Sequence, residues 1–316
     1  MTFKKQYNKK ITVAICTFNR CNYLERCLSS LLEMGKIDYY NICVIDNNSN
    51  DDTLTILKKF KLKMNNLSYY HEKKIGLSHA RNKALEMTKT QYIAFLDDDC
   101  FVTDTYLDRL FWLIENKDFD CLGGLFLPYY ETKKPAWIGE DFGKMTLLRD
   151  NLGPIYEEYV AGGNIVFKKN IFQKTGFFPS NLGMKGRKTY YGEEDYIQKK
   201  IRENDGIILF DPDLVVFHIV QDYKLKFSWH IKSIILNSKT NFLINRKNDF
   251  FLKVFIDLIK SFFAAFLIRF PKCLYKFIFY KNYYFYNFLM DTFKPVLVNI
   301  GYLSGFFKHS FHSTFQ

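Results

Sequence analysis

The chain has 316 residues, 48% hydrophobic and 18% aromatic, which suffices for one large domain or one domain with an appendage. Its net charge of +12 predicts an anionic partner, such as a phosphate-bearing ligand, nucleic acid or a membrane surface. The seven cysteines are odd in number, scattered and without a CxxC pair, which argues against a zinc site or a disulfide framework.

Up to residue 103 the chain alternates between apolar strands and amphipathic helices. Strands are predicted at 11–17, 41–46, 67–70 and 91–96, with intervening helices at 22–33, 51–60 and 76–87. This alternation predicts an α/β fold with a mostly parallel, doubly wound sheet. Neither GxGxxG nor GxxxxGK[ST] follows the first strand, which argues against dinucleotide-binding and P-loop folds.

Three adjacent carboxylates, Asp97, Asp98 and Asp99, follow the apolar strand at 91–96. Adjacent negative charges repel one another unless water or a cation lies among them. Ligands of open α/β sheets bind outside the carboxyl ends of the strands, where Mg²⁺ or Mn²⁺ would bridge carboxylates and phosphates. The triplet therefore predicts a divalent metal site, and the alternative is a solvated acidic loop.

After residue 103 the pattern loosens. A helix is predicted at 104–116, strands at 121–126, 161–168, 207–210 and 214–217, and long irregular segments at 128–158 and 180–191. We therefore place a catalytic domain at residues 1–222 and a helical extension at residues 223–316.

The extension is rich in Phe and Tyr, and residues 242–316 contain ten basic but three acidic residues, which is +7 of the net +12. Its uncharged runs fall short of the roughly 18–20 residues that a spanning helix needs. Basic residues beside aromatic ones predict helices that lie on an anionic membrane surface. The alternative is a helical subdomain whose aromatic side chains pack inward.

Six motifs occur in the order and spacing of family 2 glycosyltransferases, which the chain resembles from about Ile11 to about His218. They are VAICTFNR at 13–20, VIDNNS at 44–49, GLSHARN at 76–82, LDDD at 96–99, GEED at 192–195 and DPDLVVFH at 211–218. The resemblance implies a GT-A fold, which is Rossmann-like, and an inverting transfer of a sugar from a nucleotide-diphosphate donor to a hydroxyl group.

The resemblance also implies roles for single residues. Donor contacts would come from Thr17, Asn19, Asp46, Asn47, Arg81, Asp97 and Asp98. Mn²⁺ or Mg²⁺ would be held by Asp97 and Asp99, with His218 as a further ligand. Asn47 stands where the family often has a second Asp, so the identity of the nucleotide base in the donor is left open. The alternative for Arg81 is a salt bridge on its helix face.

Inversion requires a base opposite the leaving group, and three neighbours compete for that role: Glu193, Glu194 and Asp195. In the family the base stands three residues before the first core apolar residue of the following helix. Ile197 as that residue selects Glu194, whereas Tyr196 would select Asp195. The alternative for all three carboxylates is compensation of the helix dipole.

The expected partners are a nucleotide-sugar donor and a glycan or lipid-linked acceptor, in surface polysaccharide or glycolipid biosynthesis. Trp137 would stack on an acceptor sugar or belong to the core. Acidic clusters in the catalytic half argue against a nucleic-acid partner. The basic N-terminus lacks a signal-peptide core, so we expect a peripheral protein on the cytoplasmic face of the membrane.

Two alternatives remain. A nucleotidyltransferase on a similar sheet would have a glycine-rich loop after the first strand, and residues 17–20 lack one. A non-catalytic membrane- or anion-binding protein on a degenerate transferase fold would not need intact acidic motifs.

Overall fold

The computed structural model describes residues 10–36, 39–103, 105–184, 192–242 and 251–313. The chain forms two compact units: the first comprises Met1–Tyr129 with Gly143–Ile219, and the second Tyr130–Phe142 with Val220–Gln316. Part of the segment predicted as irregular therefore belongs with the helical C-terminal unit. The predicted boundary between residues 222 and 223 stays a prediction.

The first unit contains one mixed sheet. Its strands, among the described residues, are β1 (Ile11–Thr17), β2 (Asn41–Asp46), β3 (Leu67–His71), β4 (Tyr92–Asp97), β5 (Cys100–Val102), β6 (Cys121–Tyr130), β7 (Gly153–Pro154), β8 (Asn164–Lys168) and β9 (Ile208–Val220). Its α-helices there are α1 (Cys21–Glu33), α2 (Thr53–Lys63), α3 (Leu77–Met87), α4 (Tyr106–Asn116), α5 (Phe172–Thr175) and α6 (Glu193–Arg202). The strand order is β3-β2-β1-β4-β8-β6-β9-β5, with β7 paired to β9.

The parallel half of the sheet brings three strand ends together. β1 lies between β2 and β4, and its register places Thr17 beside Asp46 and Cys16 beside Asp97. Each of these strands is a run of buried apolar residues, as expected for strands covered on both faces. The carboxyl ends of β1, β2 and β4 therefore form the edge at which ligands bind in such sheets.

The antiparallel half differs from the sequence prediction at one point. Strands predicted at 207–210 and 214–217 are one continuous strand, β9, so that prediction was wrong. Asp211-Pro212-Asp213 resembles a turn in sequence, but Arg109 holds the buried Asp211 carboxylate through two hydrogen bonds of 2.6 and 3.1 Å. This bidentate pair keeps the segment extended, and Pro212 accepts the extended conformation.

Two hydrophobic clusters cover the two faces of the sheet. Val13 and Ile15 belong to the cluster that includes α1 and α4, while Ala14 belongs to the one that includes α3 and α6. Successive strand residues point to opposite faces, so a three-layer α/β arrangement follows. The predicted class, a sheet flanked by helices with a helical, aromatic-rich C-terminal extension, is confirmed.

The second unit is helical. It contains α7 (Phe227–Asn241), α8 (Phe251–Ala264), a π-helical turn (Ala265–Arg269), α9 (Phe270–Phe279) and α10 (Phe285–Ser313). The long helix α10 packs on α7, α8 and α9. Among the described residues, no helix combines the length and hydropathy that crossing a membrane requires.

Candidate active site

The acidic triplet lies where β4 ends and turns into β5. Asp97 is the last residue of β4, and the next two residues form the turn. Asp98 and Asp99 are 4% and 2% exposed. Two of the three carboxylates are therefore buried and Asp97 is partly buried, which argues against the solvated acidic loop that was the alternative interpretation.

Arg20 binds the triplet, and sequence analysis did not identify it. Its Nη1 atom lies 3.0 Å from Asp98 Oδ1 and 3.0 Å from Asp99 Oδ2. Thr17, which was predicted to contact the donor, donates a hydrogen bond of 2.8 Å to Asp98 Oδ2. The sequence could have indicated Arg20, because it lies in the turn after β1 and the ends of β1 and β4 are neighbours in the sheet.

His218 reaches the triplet through strand pairing. β5 and β9 are antiparallel with Cys100 opposite His218, and the Ile219 amide donates to the Asp99 carbonyl. This register brings His218 Nε2 to 3.4 Å from Asp99 Oδ1. The predicted metal ligands Asp97, Asp99 and His218 therefore come from one edge of the sheet.

The carboxylates fit a divalent cation. Ligand atoms of Asp97, Asp99 and Cys100 lie within 4.8 Å of one another. Burial raises the pKa of the Cys100 thiol well above its usual value, so it stays protonated, and oxygen ligands remain. Burial and then Asp99 raise the pKa of Asp97, and burial raises that of Asp98 to about 7. A cation bound among these poorly solvated carboxylates would favour their ionised form.

Two consecutive glycines bring the triplet and the second acidic motif together. A Cβ atom on Gly163 would lie 2.1 Å from Asp97 Oδ2. A Cβ atom on Gly162 would lie 2.5 Å from Arg81 Nη2 and 2.9 Å from Glu194 Oε1. One bare backbone segment thus lies between Asp97 and Glu194, and a larger residue at either position would displace the side chains that it meets.

Arg81 binds the acidic motif at the start of α6. It is buried, and its Nη1 atom lies 2.9 Å from Glu193 Oε1 and 3.4 Å from Glu194 Oε2. Its Nη2 atom donates to the Gly162 carbonyl at 3.2 Å. Arg81 thus forms a salt bridge, as its alternative interpretation expected, and its contact with a donor stays a prediction.

The two glutamates beside Arg81 differ in proton affinity. Burial raises the pKa of Glu193 to about 8, which favours its protonated form at neutral pH. Burial would raise the pKa of Glu194 too, but the charge of Arg81 and hydrogen bonds outweigh it and lower that pKa. Glu194 is therefore an ionised carboxylate beside Arg81.

Asp195 belongs to a different environment. Its side chain is exposed, and the charged groups that act on it are Glu194 and Arg202. Partial desolvation and the charge of Glu194 raise its pKa to about 6. Ile197 is fully buried while Tyr196 is 38% exposed, so Ile197 is the first core residue of the helix, and the assignment of Glu194 as the base stays a prediction.

The predicted donor residues of the first two turns make hydrogen bonds with other residues of the chain. Asn19 Oδ1 accepts from the Asn50 amide, and Asp46 Oδ1 accepts from the Ser49 amide. Both amide hydrogens of Asn47 bond carbonyl oxygens, those of Glu72 and Lys74, and its Oδ1 accepts from Gly76. The Asn47 side chain thus joins the end of β2 to the segment at residues 72–76, and its contact with a nucleotide base stays a prediction.

Trp137 lies in the second unit, within an aromatic cluster. Its ring packs edge-on against Phe227, His230 and Tyr286, with centroids 5.7, 4.9 and 5.3 Å away. Its carbonyl accepts a hydrogen bond from Asn287. These contacts are those of the core alternative, and a sugar contact stays a prediction.

A family model, glycosyl transferase family 2, matches residues 12–176, just over half of the chain. The chain belongs to this family. The matched residues include the acidic triplet, Arg81 and the glycine pair.

Relatives with named activities act on different acceptors. The glucosyl-dolichyl phosphate glucuronosyltransferase of Haloferax volcanii is 24% identical over 227 residues, or 70% of this chain and 72% of that protein. The poly(ribitol-phosphate) beta-N-acetylglucosaminyltransferase TarP of Staphylococcus aureus is 32% identical over 124 residues, or 37% of each chain.

Solved structures show the GT-A glycosyltransferase fold. TarS of Staphylococcus aureus with UDP-GlcNAc has a TM-score of 0.57 at 15% identity, covering 96% of this chain and 92% of that one. The mannosyltransferase PcManGT of Pyrobaculum calidifontis with GDP-Man and Mn²⁺ has a TM-score of 0.59 at 16% identity, covering 94% and 88%. The expected GT-A fold is therefore confirmed.

Proposed function

We propose that this glycosyltransferase inverts the anomeric centre of a sugar that it moves from a nucleotide diphosphate to an acceptor hydroxyl. The observation that carries the proposal is the approach of Asp97 and Glu194 across the glycine pair. An inverting displacement needs a group that binds the leaving phosphates and a base near the opposite side of the sugar. These two acidic groups meet that need.

On the leaving-group side, Asp97 and Asp99 would hold Mn²⁺ or Mg²⁺, with His218 as a further ligand. The ion, when bound, supplies positive charge for the diphosphate that departs. Support comes from the buried carboxylates and from a structural neighbour that contains both GDP-Man and Mn²⁺. Arg20 adds a fixed positive charge at the same edge.

On the acceptor side, Glu194 accepts the hydroxyl proton while the acceptor oxygen bonds to the anomeric carbon. The bond from that carbon to the phosphate oxygen breaks, and the diphosphate leaves with the electron pair. Arg81 keeps Glu194 ionised, and protonated Glu193 cannot compete for the proton.

The acceptor would be a glycan or a lipid-linked sugar used for a surface polysaccharide or glycolipid. Support comes from the activities named for the two relatives, one on a dolichyl phosphate sugar and one on poly(ribitol-phosphate). Transfer at the cytoplasmic face of the membrane would suit such acceptors.

Calorimetric titration of UDP, GDP, CDP and dTDP, each with and without Mn²⁺, tests the donor site. We expect one nucleotide to bind in a metal-dependent way, and Asp99→Asn to remove the metal dependence. If none of the four binds, the donor site is refuted, and a non-catalytic protein on a degenerate fold becomes the better interpretation.

The base is tested by Glu194→Gln with Asp195→Asn as the matched control. We expect Glu194→Gln to abolish transfer while nucleotide binding survives, and Asp195→Asn to keep transfer. Typical general-base contributions are about 10²–10⁴-fold in rate. Full activity of Glu194→Gln would move the role to Asp195.

A further inference from the structure

The helical stretch from α8 to α9 is continuous but contains one irregular turn. Residues 251–264 and 270–279 are α-helical, and residues 265–269 between them form a π-helical turn. A π turn closes i→i+5 bonds and so inserts one extra residue into the helix. Such an insertion rotates all later side chains by about 100°, the rotation of one residue.

The inserted residue keeps a narrow buried stripe in line. Val254, Ser261 and Ala265 are buried, with the spacing of seven and four residues that marks one helix face. The next buried residue, Cys273, comes eight positions after Ala265, where seven would continue the face. Without the π turn, the charged Lys272 would lie on the stripe that packs against α10.

One flank of this stripe is basic. Three exposed lysines each precede a stripe residue by one position: Lys253, Lys260 and Lys272. The three lysines lie on the same side of the helix before and after the π turn, because the residue inserted there rotates the second half back into register with the first. Over residues 251–279 the chain has five basic residues and one acidic residue, Asp257.

The opposite flank is apolar and exposed. Four apolar residues each follow a stripe residue by one position: Phe255, Phe262, Phe266 and Leu274. The outward side continues this apolar face with further exposed residues: Leu252, Ile256, Ile259, Phe263, Tyr275 and Ile278. A contiguous exposed apolar face of this kind marks an interaction surface.

We propose that this face of residues 251–279 lies flat in the interface of an anionic lipid bilayer. Its apolar side would enter the boundary of the acyl chains, and the lysine row would contact the negative head groups. The charge balance argues for an anionic surface rather than a second copy, because a second copy would bring another basic row. A spanning orientation would place Arg269 and Lys272 in hydrocarbon.

The proposal is independent of the transferase chemistry, since it requires no donor or acceptor. The test is sedimentation of the full chain with vesicles of phosphatidylcholine alone or mixed with phosphatidylglycerol, at low and high salt. We expect binding to the phosphatidylglycerol vesicles that weakens with salt.

Two double variants test the two flanks, and helix α2 supplies matched controls. Lys260→Gln with Lys272→Gln should weaken binding by about 30-fold, since each basic residue near an anionic surface contributes roughly fivefold. Phe263→Ser with Ile278→Ser should weaken it by at least about tenfold, from lost apolar burial. The controls, Lys58→Gln with Lys63→Gln and Leu54→Ser with Leu62→Ser, change exposed residues of the same types and should bind normally.

Three results would overturn the proposal. The first is that the wild-type chain binds neither kind of vesicle. The second is that the α2 controls lose binding as much as the test variants. The third is that the wild-type chain binds no vesicles but forms dimers, and that Phe263→Ser with Ile278→Ser converts these dimers to monomers. Nucleotide titration of the same variants distinguishes a failure of the membrane proposal from a failure of the donor site, because both flank variants should bind nucleotide normally.

Discussion

Replacing Arg81 with methionine removes the cation that balances Glu194 in the first unit. Arg81 is 3% exposed and makes polar contacts with Glu193, Glu194 and the Gly162 carbonyl. With Glu193 protonated, the charges of Arg81 and Glu194 cancel. Methionine would leave Glu194 as an uncompensated charge in a site of low polarity. Breaking a buried pair in this way costs about 3–5 kcal/mol of unfolding free energy.

The matched control lies on the same helix. Lys83 pairs with Glu86 on the exposed surface of α3, so Lys83→Met should cost no more than about 1 kcal/mol. Urea unfolding is best followed by hydrogen exchange of the β1 and β4 amides, because two units need not unfold together.

The pH dependence sharpens this prediction. In the wild-type chain the lowered pKa of Glu194 contributes stability above the unfolded-state pKa, and that contribution is lost as pH falls. The deficit of Arg81→Met should therefore be largest at neutral pH and shrink toward acid. Adding Glu194→Gln to Arg81→Met should restore stability. A deficit equal to that of Lys83→Met would refute the charge-balance reasoning.

Two further substitutions address the acidic triplet. Gly163→Ala should abolish metal-dependent nucleotide binding in calorimetry, because its Cβ would displace the Asp97 carboxylate, whereas Gly139→Ala, with open space around it, should bind normally. Normal binding by Gly163→Ala would show that the Asp97 position is not required. Burial raises the pKa of Asp98 to about 7, so the metal-free chain should lose stability as pH rises from about 4 to 7. Asp98→Asn should flatten that slope in urea midpoints, and an unchanged slope would assign it to other groups.

The parallel half of the fold was predictable because its signals are local. Each of β1, β2 and β4 is an apolar run that ends in a polar turn, and the observed bounds agree within a residue. The continuous strand β9 was not predictable in this way. Its Asp-Pro-Asp segment has turn chemistry, and the bidentate bond from Arg109 that keeps it extended comes from a distant helix.

The site was predictable in its carboxylates but not in what surrounds them. A run of three aspartates at a strand end is visible in any reading of the sequence, whereas the position of Arg20 depends on which strands are neighbours. Asn47 is a further case, since a polar residue at a strand end suggests a ligand contact, but its side chain also bonds the distant segment at residues 72–76, which the sequence did not indicate. Contacts between distant segments decide both cases.

The glycine pair has a consequence for how the reaction can be adjusted. Glu194, the proposed proton acceptor, and Asp97, a proposed metal ligand, lie beside a single stretch of main chain that carries no side chain. A displacement of that stretch would therefore shift the surroundings of both groups at once. If the proposed roles hold, binding of the departing phosphates and removal of the acceptor proton are therefore coupled through this segment.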